Sequence, residues 1–276
     1  MNTPVSDTLV QQVVDRFADT PDPRLREILG ALVRHLHGFI RETRLTEAEW
    51  MQGIRFLTDV GQACDAQRQE FILLSDVLGA SMQVVAVQSE RPAGCTESTV
   101  FGPFHVEGAP RIANGGDIAN GAPGEPCTVF GAVRNRDGEP VAGAEVDVWQ
   151  ADDEGLYDVQ RPDRSGAQCR AVLRTDAQGR FWFGTVVPVP YPIPTDGPVG
   201  RLLEATRRPA WRPAHLHVRI VAPGYDTLIT HVFREGDPHL QADPVFGVRP
   251  SLVSRWPESA DGRRELRFDF VLHRQD

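Results

Sequence analysis

Residues 175–185 read Thr-Asp-Ala-Gln-Gly-Arg-Phe-Trp-Phe-Gly-Thr, in which Ala177-Gln178-Gly179 is a turn signal and Phe181 and Phe183 then alternate around Trp182. Successive side chains of a strand point to opposite faces, so this period of two predicts a strand that buries two phenylalanines on one side. The same texture extends outward in both directions. Val146 and Val148 alternate with Glu145 and Asp147; Leu266, Phe268 and Phe270 alternate with Arg267 and Asp269; Arg136-Asp137-Gly138 supplies another turn. Short alternating runs between Gly and Pro punctuation predict antiparallel strands stacked as a two-sheet sandwich. The sequence carries no βαβ rhythm and neither GxGxxG nor GxxxxGK[ST], which disfavours a nucleotide-binding α/β fold.

Before about Arg91 the rhythm is helical. Asp22 and Pro23 suit an N-cap and a first helical position, and Leu25, Ile28, Leu29, Leu32, Val33, Leu36, Phe39 and Ile40 then recur on one continuous face. Thr46 and Glu49 form a capping-box pair that opens a second helix through Ile54 and Leu57. A third helix is predicted through Phe71, Leu74, Leu78, Met82 and Val85. The fold class expected is therefore α+β, with an N-terminal helical lobe over residues 1–98 and a C-terminal antiparallel β-sandwich over 99–276.

The 276 residues carry 29 basic and 38 acidic side chains, a net charge of -9. That balance argues against a nucleic-acid groove or an anionic membrane as the main partner, since both need clustered Lys and Arg. No apolar run approaches the roughly 18 residues of a membrane helix, and the N-terminal MNTPVSDTLV lacks a basic segment leading into an apolar one. A cytoplasmic location is expected. Cys64, Cys95, Cys127 and Cys169 are widely spaced without a CxxC, which predicts reduced, mostly buried thiols and not disulfides or a zinc site.

Candidate chemistry centres on Arg212-Pro213-Ala214-His215-Leu216-His217-Val218, in an apolar-rich stretch that reads as a strand. On a strand, His215 and His217 share one face and Leu216 turns the other way, so the two imidazoles make a natural pair of metal ligands. A lone HxH is more often two surface or core histidines, and spacing does not choose between the readings. The chain holds 13 Phe and 5 Trp but only three Tyr. Tyr157 follows a predicted strand in Glu154-Gly155-Leu156-Tyr157-Asp158, and Tyr191 sits in Pro188-Val189-Pro190-Tyr191-Pro192-Ile193-Pro194, which is too proline-rich for regular structure. Taken singly, either tyrosine is as well explained by packing. Tyr225, in Pro223-Gly224-Tyr225-Asp226, reads as a turn residue, and His35, His37, His105, His239 and His273 lack metal-like partners in sequence.

GLYD (155–158), YPIPTDGPVG (191–200) and RPAHLHV (212–218), in this order, resemble the intradiol ring-cleaving dioxygenases, which open catechols between their hydroxyls with non-haem ferric iron. The resemblance covers nearly the whole chain. Within the family, TVFGPFHVEGAP (99–110) and TLITHVF (227–233) look most like the members that cleave hydroxyquinol, benzene-1,2,4-triol. It implies that Tyr157, Tyr191, His215 and His217 ligate Fe(III), with Tyr191 the ligand displaced by substrate. Such a set is chemically coherent, because a hard trication favours anionic oxygen and can strip the proton from a phenol whose free pKa is about 10.

The resemblance further implies that Arg212 stabilises negative charge on the substrate, where a lone arginine would more often pair with a surface acid. The pocket wall is implied to comprise Leu73, Asp76, Val100, Phe101, Gly102, Pro103, Phe104, Ile193, Pro194, Arg212 and Val245. Asp76 stands at helical spacing from Leu73, so it is read either as a cleft acceptor for a third substrate hydroxyl or as a solvated helix carboxylate. His231 occupies a place where catechol-cleaving members carry glutamine. The expected partners are a small aromatic diol or triol and dioxygen, and a second copy of the chain paired through the N-terminal helices, an interface able to hold a phospholipid. Alternatives are a catechol or chlorocatechol 1,2-dioxygenase and, from another class, a non-catalytic transthyretin-like binding sandwich with a structural metal.

Overall fold

Phe181 and Phe183 are both buried, and the strand that carries them lies in one of two facing sheets. The computed structural model describes residues 5–65, 68–89, 92–161 and 166–275; the expected change of texture at Arg91 falls outside them. In chain order the strands are β1 (Pro126–Asn135), β2 (Glu145–Trp149), β3 (Arg170–Arg174), β4 (Arg180–Val186), β5 (Tyr191–Pro192), β6 (Trp211–Arg212), β7 (His215–Val221), β8 (Leu228–Arg234), β9 (Val253–Ser254) and β10 (Arg264–Leu272). One sheet has the order β10-β1-β4, the other β3-β2-β7-β8-β9, and β5 pairs with β6. Val129, Phe183, Leu266 and Phe270 of the first sheet join Val146, Val148, Leu216 and Val218 of the second in one buried core.

The sandwich is as expected, with one refinement of its pairing. β1 runs parallel to β10 and β8 parallel to β9, while the remaining strand pairs are antiparallel. Alternation within a strand fixes which face is buried but carries no information on its neighbour's direction. The proline-rich run also departs from expectation. Tyr191–Pro192 forms the short strand β5, because only every second residue there is proline, and Ile193 keeps an N–H that donates to the Ala210 carbonyl at 2.9 Å.

Two compact units divide the chain, Met1–Asp59 and Val60–Asp276. The first contains α1 (Val5–Asp15), α2 (Pro23–Thr43) and most of α3 (Glu47–Gln62). Asp22 caps α2 by accepting from the Arg24 and Leu25 amides, and Thr46 and Glu49 make the reciprocal capping box at α3. The apolar stripe of α2 stays open: Leu25, Ile28, Leu32, Leu36 and Phe39 are all exposed. The second unit holds the sandwich with α4 (Glu70–Val77), α5 (Ala80–Gln88) and α6 (Pro198–Ala205). Among the described residues no single helix is long and apolar enough to cross a membrane. All four cysteines are free; Cys127 and Cys169 are buried, which pushes both thiols up to about 12, and Cys64 and Cys95 are half-buried.

The single helix expected from Phe71 to Val85 is two, α4 and α5, meeting at 75°. Periodicity continues through the break, but Gly79 adopts φ +73, and its amide turns back to the Asp76 carbonyl at 2.9 Å. A β-carbon strains that left-handed conformation, so Gly79→Ala is expected to cost about 1–2 kcal/mol. Thermal unfolding checks this: the midpoint should fall by roughly 2–4 °C per kcal/mol, whereas one continuous helix would gain about 1 kcal/mol from the same change.

Candidate metal centre and substrate cavity

Strand β7 sorts its side chains cleanly: Leu216, Val218 and Ile220 enter the sandwich core, while His215 and His217 turn to the sheet's other face. Both histidines are buried. The pairing register puts Arg170, Trp149, His217 and His231 opposite one another in a row across β3, β2, β7 and β8. Directly opposed residues of adjacent strands project on the same side, so the row lies on the face that carries the site.

Tyr157 reaches this face from a loop and Tyr191 from the short strand β5. Asp152 accepts from the Glu154 and Leu156 amides, folding the chain after β2 into a tight turn. Gly155 has φ +77, and a β-carbon there would stand 2.8 Å from Cβ of Tyr191, so the two tyrosine segments approach as closely as glycine allows. Phe104 stacks on Tyr157 at 4.4 Å between ring centres. Arg170 joins these parts from below, with Nε on Asp158 at 2.7 Å and Nη1 on the Phe104 carbonyl at 3.0 Å.

Four donor atoms converge. Tyr157 Oη lies 3.1 Å from Tyr191 Oη and 2.9 Å from His217 Nε2. His215 Nε2 lies 3.1 Å from His217 Nε2 and 3.5 Å from Tyr191 Oη. Bonds of about 2.0–2.1 Å to one ion would separate neighbouring donors by about 2.8–3.4 Å for angles between square and tetrahedral, close to what is observed. The protonation chemistry fits too. Burial, then the Arg212 charge, keeps His215 neutral; burial, then His231 and His215, does the same for His217. Nδ1 of His215 donates to the Pro213 carbonyl at 2.7 Å, which leaves its Nε2 lone pair for the centre. Burial, reinforced by Tyr191, holds the Tyr157 phenol far above its usual range, so a nearby cation must drive its ionisation. Two neutral imidazoles and two ionisable phenols make a donor set for a hard, highly charged metal ion.

Arg212 is buried beside the donors, with Nη1 3.2 Å from His215 Nε2 and 3.5 Å from Tyr191 Oη. Burial opposes its charge, but Asp243 foremost, together with the tyrosines, keeps the guanidinium protonated. Asp243 accepts from Arg212 Nε at 3.1 Å and from the Gly247 amide at 2.9 Å. β5 and β6 place Tyr191 directly opposite Arg212.

A cavity of about 270 Å³ adjoins the centre, smaller than the roughly 300–1,000 Å³ of drug-sized sites and suited to a single ring. Its wall includes Leu73, Asp76, Val100, Gly102, Pro103, Phe104, Tyr191, Ile193, Pro194, Arg212 and Val245, with Arg68 and Glu70 also contributing. Phe101 is the exception among the expected wall residues: it packs against His105 and Trp149 instead. Gly102 has φ +78 and the chain turns at residues 103–104, so Gly102, Pro103 and Phe104 all face the cavity while the Phe101 ring is sent the other way. Asp76 is buried, not solvated, and burial pushes its carboxyl up against the lowering effects of Ser81 and Arg212.

Several supporting residues escaped sequence reasoning. Asp243 contacts Arg212, Arg170 contacts Asp158 and Phe104, and Trp149 contacts His217, and a carboxylate, an arginine or an indole carries no spacing signal by itself. His105, for which the sequence offers no metal-like partner, bonds Asp147 at 2.7 Å with both side chains buried. His231 is buried next to His215 and His217, and the three form the one cluster of three potential His, Cys or carboxylate ligands among the described residues.

Residues 22–96 match the family model described as catechol dioxygenase N terminus, and residues 100–274 the model described as dioxygenase. The 6-chlorohydroxyquinol 1,2-dioxygenase of Cupriavidus pinatubonensis is 62% identical, with 96% of each chain covered. The hydroxyquinol 1,2-dioxygenase of Nocardioides simplex is 54% identical over 99% of each. A solved hydroxyquinol 1,2-dioxygenase from Pseudomonas putida DLL-E4 superposes with a TM-score of 0.93 at 46% identity, covering 98% of this chain and 99% of the other. By contrast, the catechol 1,2-dioxygenase of Candida albicans is 35% identical, over 95% of this chain and 88% of its own. Similarity of this extent, end to end and through both halves, makes the chain a member of the intradiol ring-cleavage dioxygenase family.

Proposed function

We propose that this protein opens hydroxyquinol between its adjacent hydroxyls, with Tyr157, Tyr191, His215 and His217 holding a ferric ion. The observation that carries the reading is the convergence of two phenol oxygens and two neutral imidazoles beside a single-ring cavity. When bound, the ferric ion supplies a Lewis acid that favours phenolates of protein and substrate and couples the electron-rich ring to dioxygen. Tyr157, fully buried under Phe104, is suited to stay in place. Tyr191, on the two-residue strand β5 at the cavity wall, is suited to yield its place and take a substrate proton on Oη. Arg212, its charge secured by Asp243, stabilises the negative charge that the substrate develops. Both atoms of dioxygen end in the two new carboxyl groups of 3-hydroxy-cis,cis-muconate, the enol form of maleylacetate.

Asp76 supplies the selectivity in this reading. A buried carboxyl on the cavity wall keeps Ser81 but loses a partner when the ring lacks a third hydroxyl, and that deficit is larger than a misfitted methyl group would cause. The names of the relatives at 62% and 54% identity point to the same substrate class. We further assign residues 1–98 to a helical dimerisation domain and 99–276 to the catalytic domain, in a cytoplasmic enzyme. The five exposed apolar residues of α2 support a second copy docked on that face, with room for a phospholipid chain.

Three outcomes are expected. Purified protein loaded with iron should be red-brown, and Tyr157→Phe and Tyr191→Phe should each shift the visible band. Each should also lower ring opening by more than about 100-fold, since even outer-shell losses cost about 10–100-fold; unchanged spectra in both variants would refute the ligand assignment. Steady-state kinetics should favour hydroxyquinol over catechol by about 10- to 100-fold in kcat/KM. Asp76→Ala should erase most of that ratio, and equal losses on both substrates would remove Asp76 from the selectivity argument. Sedimentation should give a dimer that Leu32→Glu with Leu36→Glu converts to monomer.

A further inference from the structure

The two histidines at the centre are anchored by different means. His215 is fixed by a hydrogen bond from Nδ1 to the Pro213 carbonyl. Nδ1 of His217 is buried and has no hydrogen-bond partner among the described residues. A ligating imidazole ordinarily has its second nitrogen held by a carbonyl or carboxylate, which sets the ring's rotation. For His217 that restraint is missing, yet its Nε2 is aimed at Tyr157 and His215.

What replaces it is a flat surface. Trp149 stands opposite His217 in the β2–β7 register, and the two rings are nearly parallel, 14° apart with centres 4.7 Å apart. Gly102 closes another side: a β-carbon there would stand 2.9 Å from Cε1 of His217. His231 meets the ring edge-on at 4.2 Å. Trp149 is itself immobilised, being 1% exposed and crossed edge-on by His105 and Phe101. His105 is in turn held by Asp147. The indole Nε1 is also buried without a partner among the described residues, so what the side chain offers His217 is its face.

We propose that Trp149 is the positioning residue for His217, its ring plane fixing the rotation of the imidazole in place of a hydrogen bond at Nδ1. Rotation about the Cβ–Cγ bond would swing Nε2 away from the centre, and the stacked indole is what resists it. A flat aromatic side chain at this position is thus a requirement of the centre and not only of the core. The inference rests on the proposed metal-ligand role of His217, but the ring orientation is a property of the metal-free protein as well.

The test compares Trp149→Leu, which keeps apolar bulk without a face, with Trp149→Phe, which keeps a face; Trp149→Met replaces the leucine variant if that one does not fold. Crystal structures of the metal-free variants should show His217 rotated or in several orientations in the Leu (or Met) protein and in its native orientation in the Phe protein. With iron added, the Leu protein should show a displaced visible band and lose iron to a chelator at least about 10-fold faster, with the Phe protein within about 3-fold of the parent. A folded Leu or Met variant with His217 in its native orientation would overturn the proposal. A parent protein that takes up no iron would sink the ferric reading instead, and the crystallographic comparison would still decide the role of Trp149.

Discussion

The register of β7 between β2 and β8 is the constraint on which the rest depends. It sends Leu216, Val218 and Ile220 into the sandwich and His215 and His217 to the opposite face. A slip of one residue would bury both imidazoles in the core and expose the three aliphatic side chains, so the hydrophobic core enforces the aim of the two imidazoles. The same register aligns Trp149 and His231 with His217, and Arg170 with Trp149. Hydrophobic burial thereby fixes polar geometry at no separate cost in ordering.

The centre makes the opposite demand, gathering polar groups where water is scarce. Imidazoles are kept neutral by burial, the Tyr157 phenol is kept protonated by it, and Arg212 is matched to Asp243. Removing one member of such a buried pair typically costs about 3–5 kcal/mol because it strands the other charge. Asp243 therefore serves two purposes, satisfying Arg212 and, through its bond to the Gly247 amide, shaping the loop that brings Val245 to the cavity. Electrostatic pairing and wall construction are one piece of chemistry here.

Much of this was legible in the sequence because it rests on period and composition. Alternation at Phe181 and Phe183 revealed the sandwich, and the alternation in His215-Leu216-His217 revealed a shared face. The capping residues at Asp22 and Thr46 marked helix starts at the right positions. What stayed hidden depends on contacts between distant segments. The break at Gly79 interrupts backbone geometry without interrupting the apolar rhythm, and the parallel pairing of β1 with β10 joins residues more than a hundred positions apart. Phe101 packs on His105 and Trp149 while Val100 and Gly102 to Phe104 line the cavity, a division set by the left-handed turn at Gly102 that the run of residues does not announce. Asp76 could not be distinguished from a surface acid until its burial was known.

The convergent donors and the helical wall of the cavity belong to different elements. His215 and His217 stand on the five-stranded sheet, Tyr157 on a loop whose Asp158 is bonded by Arg170 of that sheet, and Tyr191 on the two-stranded β5–β6 ladder that leads directly into β7. Leu73 and Asp76 belong instead to α4, whose direction is set by the left-handed turn at Gly79. Substitutions on α4 can thus reshape one wall of the cavity without disturbing the register that aims the histidines. A fold organised in this way lets one helix change the shape of the cavity wall while the convergence of the two imidazoles remains under the control of the core.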